Sequence, residues 1–294
     1  MFAFFKNMFA ENDQGPFEDA DATLKLGNKQ PLRKPGISAL PYRLATGQST
    51  GMARAHNEDT LFTFSTFLDG LDNGHYLGIF LVADGMGGHQ SGEIASQLAA
   101  RGASQYLLEN IIQDGMFSPE KIKSATLREQ MQSAVEKAQQ LIRQQVPGGG
   151  TTLTLALVLD DHVYTAHVGD SRLYLVDKEG DLQLKTKDHS LVKRLVDLGE
   201  ITAAEAAEHP QRNVLYRALG QSEDLSADVD DFVIEPGEKL VLCSDGLWGV
   251  MSQEQLNTIL SADAAPNWVA EALVAAANEA GGPDNVSVIL VERI

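Results

Sequence analysis

Short apolar runs alternate with turns rich in glycine, aspartate or proline from residue 42 onward. Runs of this kind, with many β-branched residues, are typical of strands. The predicted strands are 76–83, 151–159, 162–168, 172–176, 239–244 and 286–291. The turns at 160–161 and 169–170 each separate two successive strands, so each predicts a hairpin and thereby favours antiparallel sheets.

Longer amphipathic segments separate these strands. In the segment 118–145, apolar side chains recur at steps of three or four residues, which places them on one face of a helix. These side chains are Leu127, Met131, Val135, Ala138 and Ile142. The segments 91–113 and 265–280 are also predicted helices, and Pro266 suits a first helical turn. Hairpins joined by long helices indicate layered sheets covered by helices.

The first 41 residues show no periodic spacing of apolar residues that would indicate a helix or a strand. They are polar beyond the first few positions and are broken repeatedly by glycine and proline, so we predict a flexible leader. The apolar stretch at 1–5 is too short for a signal peptide or a membrane span, and no charge-free stretch elsewhere reaches membrane-span length. These features predict a cytoplasmic protein.

Composition narrows the classes of function. The 294 residues are 43% hydrophobic and 22% charged, which is ordinary for a soluble globular protein. The net charge of −18 opposes binding to nucleic acid or to anionic membranes. Cys243 is the only cysteine, so the chain can form neither an internal disulfide nor a thiolate metal site, and we expect Cys243 to be a buried core thiol.

Candidate chemistry lies where strands end. Asp84, Asp170 and Asp245 each follow an apolar run beside a glycine, and Asp284 precedes one. A single such aspartate is most simply a turn residue. Four of them at strand ends could meet in one cleft, where clustered carboxylates would need a cation. Oxygen ligands favour Mg²⁺, Mn²⁺ or Ca²⁺, and the wide spacing excludes an EF-hand loop.

An arginine stands close to this acidic set in the sequence. The segment 51–62 contains Arg54, Glu58 and Asp59. The planar guanidinium of Arg54 could hold two phosphate oxygens. Taken alone, Arg54 is more simply explained by a surface salt bridge to Glu58.

Several motifs in order resemble one family. The segments RAHNED, VADGMGG, GGTTLTLAL, HVGDSRLYLV, KDHSLV, VLCSDGLWGV and GGPDNVSVILV are similar to those of the metal-dependent serine/threonine protein phosphatases of type 2C. The segment 209–220 is similar to the flap of the bacterial branch. The resemblance runs from about residue 42 to 294 and leaves 1–41 outside.

The resemblance implies an α+β fold. We expect a four-layer α-β-β-α sandwich in which two antiparallel β-sheets are flanked by helices, with a metal centre at one end. Residues 42–294 would form the phosphatase domain, with a flap at about 191–220. Arg212 on that flap would contact the substrate.

The resemblance also implies roles for the metal ligands. Asp84 would bridge two Mn²⁺ or Mg²⁺ ions, and the Gly85 carbonyl would bind one of them. Asp245 and Asp284 would hold the other, and Glu58 would reach a metal through water.

Three further roles follow from the same resemblance. Asp59 would be a nearby orienting carboxylate, and Asp170 would form a third, weaker metal site with Asp245. Arg54 would hold the substrate phosphate.

The implied activity is hydrolysis of phosphoserine and phosphothreonine in proteins by a water activated between two metal ions. It would oppose a bacterial Ser/Thr protein kinase, and a monomer suffices. Eukaryotic relatives carry a histidine as the proposed general acid where this chain has Met86, so the general acid is not identified. A phosphoprotein-binding pseudophosphatase is disfavoured by the intact metal aspartates. A small-phosphoester hydrolase remains open.

Overall fold

The computed structural model describes residues 41–68, 75–87, 90–115, 124–221 and 225–294, so the predicted leader lies outside the described residues apart from residue 41. The strands in chain order are β1 (Tyr42–Ser49), β2 (Asp59–Leu68), β3 (His75–Met86), β4 (Gly150–Thr151), β5 (Leu153–Leu159), β6 (His162–Val168), β7 (Arg172–Val176), β8 (Leu182–Leu184), β9 (Asp228–Val233), β10 (Lys239–Cys243) and β11 (Val286–Arg293).

Seven helices are described. They are α1 (Gln90–Gly115), α2 (Ser124–Gln145), α3 (Leu191–Asp197), α4 (Ala203–Glu208), α5 (Asp245–Trp248), α6 (Gln253–Leu260) and α7 (Pro266–Glu279). The three predicted helices are confirmed as α1, α2 and α7, although 118–123 of the second lie outside the described residues. None of the helices described is both long enough and apolar enough for a membrane crossing.

The strands form two antiparallel sheets. Sheet 1 has the order β2-β3-β5-β6-β9, with β4 paired to the end of β3, and sheet 2 has the order β1-β11-β10-β7-β8. All six predicted strands are present, and the predicted hairpin at 160–161 joins β5 to β6 in antiparallel register.

The two faces of β3 contact different layers, as the period of two in a strand requires. Residues of one face pack against α1 and α2, and they are Leu77, Ile79, Leu81 and Ala83. Residues of the other face, including Phe80 and Val82, meet Leu242 and Ile289 of sheet 2. The outer face of sheet 2 packs against α5, α6 and α7. The layers are therefore helix, sheet, sheet and helix, and the predicted sandwich is confirmed.

Burial on both faces explains why the central strands have almost no polar positions. In an antiparallel sheet with one solvated face, polar residues would alternate with apolar ones. Apart from Thr154 and Lys239, β5 and β10 are apolar on both faces because each lies between a helix layer and the opposite sheet. Cys243 on β10 is fully buried, as expected, and burial raises the pKa of its thiol to about 12.

The predicted hairpin at 169–170 is wrong, because β6 lies in sheet 1 and β7 in sheet 2. Gly169 has a φ of +110°, and a Cβ there would lie 2.6 Å from the Thr152 Cβ, so the turn requires glycine. The chain crosses between sheets at this turn. Thr154 Oγ1 donates to the Ser171 carbonyl at 3.0 Å on the far side of the crossing. A hairpin and a crossover need the same tight turn, so the sequence pattern does not separate them.

The turn between β5 and β6 supports a prediction about stability. Asp160 has a φ of 54°, its Oδ1 accepts from the Tyr76 N–H at 2.9 Å, and its carbonyl accepts from the Tyr42 hydroxyl at 2.6 Å. Asp160→Ala removes the acceptor and places alanine in a left-handed conformation, so we expect the free energy of unfolding to fall by about 1–2 kcal/mol. Urea unfolding measures this change.

Asparagine is the matched control at Asp160. It tolerates a positive φ and keeps a side-chain acceptor, so Asp160→Asn should retain most of the stability. An equal loss in the alanine and asparagine variants would contradict this account of the turn.

Candidate active site

Strand ends from both sheets open into one cavity of about 200 Å³. Asp84 comes from the end of β3 in sheet 1, whereas Asp245 follows β10 and Asp284 precedes β11 in sheet 2. Asp170 enters from the turn that crosses between the sheets. The predicted site residues that line this cavity are Arg54, Glu58, Asp84, Gly85, Asp170, Asp245 and Asp284. Residues far apart in sequence therefore meet because the two sheets dock at this end.

Asp59 lies opposite Asp84 in the antiparallel pairing of β2 and β3. Like charges at directly opposed positions destabilise a sheet. Asp59 is buried, and its Oδ2 accepts from the Ser244 hydroxyl at 2.8 Å. The structure thus places Asp59 beside the cavity residues rather than in the cavity lining.

The backbone around Asp84 is fixed on both sides. The Asp84 N–H donates to Thr152 Oγ1 at 2.9 Å, and the Asp84 carbonyl accepts from the Thr152 N–H at 2.9 Å. At the next residue a Cβ would lie only 2.2 Å from the Gly92 carbonyl oxygen, so position 85 requires glycine. This close contact sets the start of α1 against the end of β3.

Burial and mutual repulsion favour the protonated forms of these carboxyls. Burial raises the pKa of Asp59 to about 7 and that of Asp245 to about 6. The pKa values of Asp84 and Asp170 are also raised well above the ordinary value, first by burial and then by neighbouring aspartates. A cation in the cavity would reverse these shifts because it stabilises the charged forms.

Of the four buried side-chain oxygens that lack a partner among the described residues, two belong to this site. Asp59 Oδ1 and Asp245 Oδ1 accept no hydrogen bond from any described group. Unpaired buried oxygens are costly, and carboxylate oxygens are the donors that Mg²⁺ and Mn²⁺ prefer. The donor set therefore fits a hard divalent cation.

The carboxylates do not form a finished coordination shell as they stand. Within the ranges that the structure covers, no three acidic, histidine or cysteine side chains are grouped so that they could hold a metal ion. Arg54 instead donates from a terminal nitrogen to Asp284 Oδ2 at 2.6 Å. The ion pair of Arg54 is thus with Asp284, not with Glu58 as the simplest sequence interpretation held.

Asn285 organises the segment that carries Arg54, and sequence analysis did not single it out. Its Nδ2 donates to the carbonyls of Thr50 and His56, both at 2.9 Å, and its Oδ1 accepts from the Glu58 N–H at 2.8 Å. The one feature of the sequence that could have indicated a role for Asn285 is its position next to Asp284.

The segment 191–220, which the sequence predicts to be a flap, borders the cavity and a second, larger depression. Asn213 and Leu215 line the cavity with the carboxylates, and neither was predicted. Arg212 lies instead in an adjoining groove of about 570 Å³ between α3, α4 and the segment after α5. The groove and the cavity share Asp170, Asn213 and Asp245, so they are continuous.

The raised pKa values predict how metal-free stability depends on pH. An unfolded aspartate releases its proton near pH 4, whereas Asp59 and Asp245 hold theirs to about pH 7 and 6 in the folded chain. Between these limits the unfolded state binds fewer protons, so stability falls as pH rises. In EDTA, scanning calorimetry should show the midpoint of unfolding falling from pH 5 to 7.5.

Asp59→Asn is the matched variant for this dependence. Since the amide does not titrate, the fall in midpoint should be smaller than in the parent chain. Mn²⁺ should raise the parent midpoint more at pH 7.5 than at pH 5, because the ligands are then charged. A midpoint that does not change with pH in EDTA would contradict the raised pKa values.

Comparison with known proteins agrees with this geometry. Residues 46–281 match the family described as protein phosphatase 2C. The serine/threonine phosphatase Stp of Listeria innocua is 37% identical over 248 residues, which cover 83% of this chain and 92% of that protein.

Solved structures give the same result. The serine/threonine phosphatase of S. agalactiae superposes with a TM-score of 0.72 at 30% identity, covering 86% of this chain and 100% of that one. The catalytic domain of the phosphatase PstP, solved with two manganese ions, has a TM-score of 0.69 at 30% identity and covers 85% of this chain and 97% of that one. The predicted enzyme class, a protein serine/threonine phosphatase, is confirmed at the level of the family. The chain belongs to the protein phosphatase 2C family.

Proposed function

We propose that this chain hydrolyses phosphoserine and phosphothreonine in proteins and depends on Mn²⁺ or Mg²⁺ for that activity. The observation that carries the proposal is one cavity lined by carboxyls from both sheets, with a guanidinium beside it. Family membership and relatives that are named serine/threonine phosphatases support the same conclusion.

The residues that would hold two ions are those of the cavity wall. Asp84, the Gly85 carbonyl, Asp245 and Asp284 would supply oxygens, and Glu58, which lines the same cavity, would act through water. Divalent ions bound there supply a water of lowered pKa and neutralise charge on the phosphate. Asp170 extends the set toward the groove and suits a third, weaker site with Asp245.

Arg54 is suited to bind the substrate phosphate. Its side chain is 50% exposed, so a phosphate arriving from solvent can reach it. One terminal nitrogen bonds Asp284, and no other described residue bonds the guanidinium, which leaves its remaining donors for phosphate oxygens. Arg54 would thus orient the phosphate next to the carboxylate cavity.

Asp59 would keep the neighbouring carboxyls in place. The Ser244 hydroxyl donates to Asp59 Oδ2, and the Ser287 N–H donates to Ser244 Oγ at 3.0 Å. This chain of bonds joins β2 of sheet 1 to β11 of sheet 2 through Ser244, the residue that follows β10. Asp59 therefore acts by orientation rather than by contact with the substrate.

The substrate is inferred to be a protein segment rather than a small ester. The groove next to the cavity is large enough for residues that flank a phosphorylated side chain, and Arg212 and Lys193 line it. A Ser/Thr protein kinase must supply such a substrate. Met86 lines the cavity where eukaryotic relatives carry histidine, so no side chain at that position can donate a proton.

The primary test is phosphate release from a phosphothreonine peptide with Mn²⁺, without added metal and after EDTA. Activity that requires metal and is lost with chelator is expected. A parallel assay with para-nitrophenyl phosphate separates the substrate classes, since the groove should favour the peptide in kcat/KM. Folded protein that binds the phosphopeptide without turnover would support the pseudophosphatase alternative instead.

Asp245→Asn tests the carboxylate assignment. Losing one charged ligand should lower kcat by at least about a thousandfold, because the charge stabilisation of the transition state depends on the bound ions. Asp263→Asn is the matched control, since Asp263 is exposed and does not line the cavity. Unchanged kcat in Asp245→Asn at saturating Mn²⁺ would refute the assignment.

Arg54→Ala tests phosphate binding. If Arg54 mainly holds the ground-state phosphate, KM should rise by about tenfold and kcat should change less. Arg43→Ala is the control, because Arg43 is also an exposed arginine with a carboxylate partner, Glu292. A collapse of kcat with KM intact would move the role of Arg54 to the transition state.

A further inference from the structure

His189 forms two hydrogen bonds with the turn that carries Asp170. It is buried, and it stands between β8 and the start of α3. The His189 N–H donates to the Gly169 carbonyl at 2.7 Å, and the Gly169 N–H donates to His189 Nδ1 at 3.1 Å. Backbone and side chain of His189 thus hold the same glycine.

These bonds fix the tautomer of His189. Because Nδ1 accepts from Gly169, the proton of the neutral ring is on Nε2, which donates to Asp228 Oδ2 at 3.0 Å. Arg217 donates to the other oxygen of Asp228 at 2.7 Å. Asp228 therefore accepts from both side chains and holds the ring in one orientation.

His189 also joins this turn to the flap. The Tyr216 N–H donates to the His189 carbonyl at 2.9 Å, and the Leu191 N–H donates to the Val214 carbonyl at 2.8 Å. Leu215, between these two bonded residues of the flap, lines the cavity. Movement of His189 would therefore disturb the cavity from the flap side and from the Gly169 side.

Hydrogen bonds fix the backbone before and after the Asp170 side chain. Gly169 is fixed by His189, and the Asp170 carbonyl accepts from Trp248 Nε1 at 3.0 Å. Gly169 has the left-handed φ described above, so the direction of the Asp170 side chain depends on that turn keeping its shape. Trp248 belongs to α5, which begins at Asp245, so this bond also links the segment that carries Asp170 to the helix that carries Asp245.

We propose that His189 is a positioning residue that acts through the Gly169 N–H to hold the Asp170 carboxylate in the cavity, and so sets the affinity of the weaker divalent-cation site. This inference rests on the proposed function, in which Asp170 is a metal ligand. His189 touches neither substrate nor metal, and its effect is transmitted by the turn.

Two variants of His189 each keep one of the two side-chain hydrogen bonds of the ring and remove the other. His189→Asn places a carbonyl oxygen near the position of Nδ1 and can still accept from Gly169. His189→Gln places an amide nitrogen near Nε2 and can still donate to Asp228, but it loses the acceptor for Gly169. Circular dichroism and unfolding midpoints select the variants that remain folded.

Calorimetric titration with Mn²⁺, without substrate, gives the first result. We expect His189→Gln to weaken the weaker class of Mn²⁺ sites by about tenfold, which is the scale of one buried hydrogen bond, and the Asn variant to change it by less than about threefold. The matched control is His167→Gln. His167 is a buried histidine whose ring centroid lies 5.0 Å from that of His189, and it bonds Thr154 and Lys187.

The proposal is overturned if the Asn and Gln variants weaken Mn²⁺ binding equally, or if His167→Gln does so as much as His189→Gln. A double-mutant cycle that combines His189→Gln with Asp170→Asn adds a second criterion, which is the change in kcat. His189→Gln should lower kcat in the parent chain but not further in the Asp170→Asn chain. If His189→Gln lowered kcat by the same factor in the Asp170→Asn chain as in the parent chain, His189 would act independently of Asp170, and the proposal would be overturned.

Amide exchange at Gly169 tests the contact itself. The Gly169 N–H should be protected in the parent and Asn chains and should exchange faster in the Gln chain. If the parent has no phosphatase activity, the proposed function fails, whereas the calorimetry and the exchange rates still decide the role of His189. An unprotected Gly169 amide in the parent chain would refute that role.

Discussion

The repulsion among buried carboxyls at one end of the sandwich is the constraint on which the rest of the site depends. Asp84 and Asp59 face each other across two paired strands, and Asp245 has a buried oxygen without a partner among the described groups. Such an arrangement costs stability unless protons or cations compensate it. The cavity therefore lowers the stability of the metal-free protein wherever its carboxyls are charged.

This arrangement requires two sheets rather than one. A single antiparallel sheet could bring Asp59 next to Asp84, but Asp245 and Asp284 lie beside the ends of strands in the opposite sheet. The apolar contact between the sheets, which includes Phe80, therefore does more than stabilise the fold. It determines the distance between the carboxyls that the two sheets contribute to the cavity.

Sequence analysis predicted the four layers and most of the residues that line the cavity, because short sequence patterns indicate these features. Apolar runs identified the central strands, and aspartate–glycine turns marked their ends. The edge strands β1, β2, β8 and β9 were missed, because they lack a continuous apolar run: exposed residues such as Asp230 and Arg43 interrupt them where the strand meets solvent. The crossover at Gly169 was taken for a hairpin, since a turn does not reveal which sheet follows. Asn285 and Leu215 were missed because their roles depend on contacts between distant segments.

The place of β11 in sheet 2 has a consequence for how that sheet is completed. β11 lies between β1 and β10, although it is the last of the described strands in chain order. Without β11, β1 has no partner in sheet 2, and Asp284, which comes just before β11, has no fixed place. The pairing of β11 therefore completes the sheet and the cavity wall together, and a change that weakens this strand would disturb both.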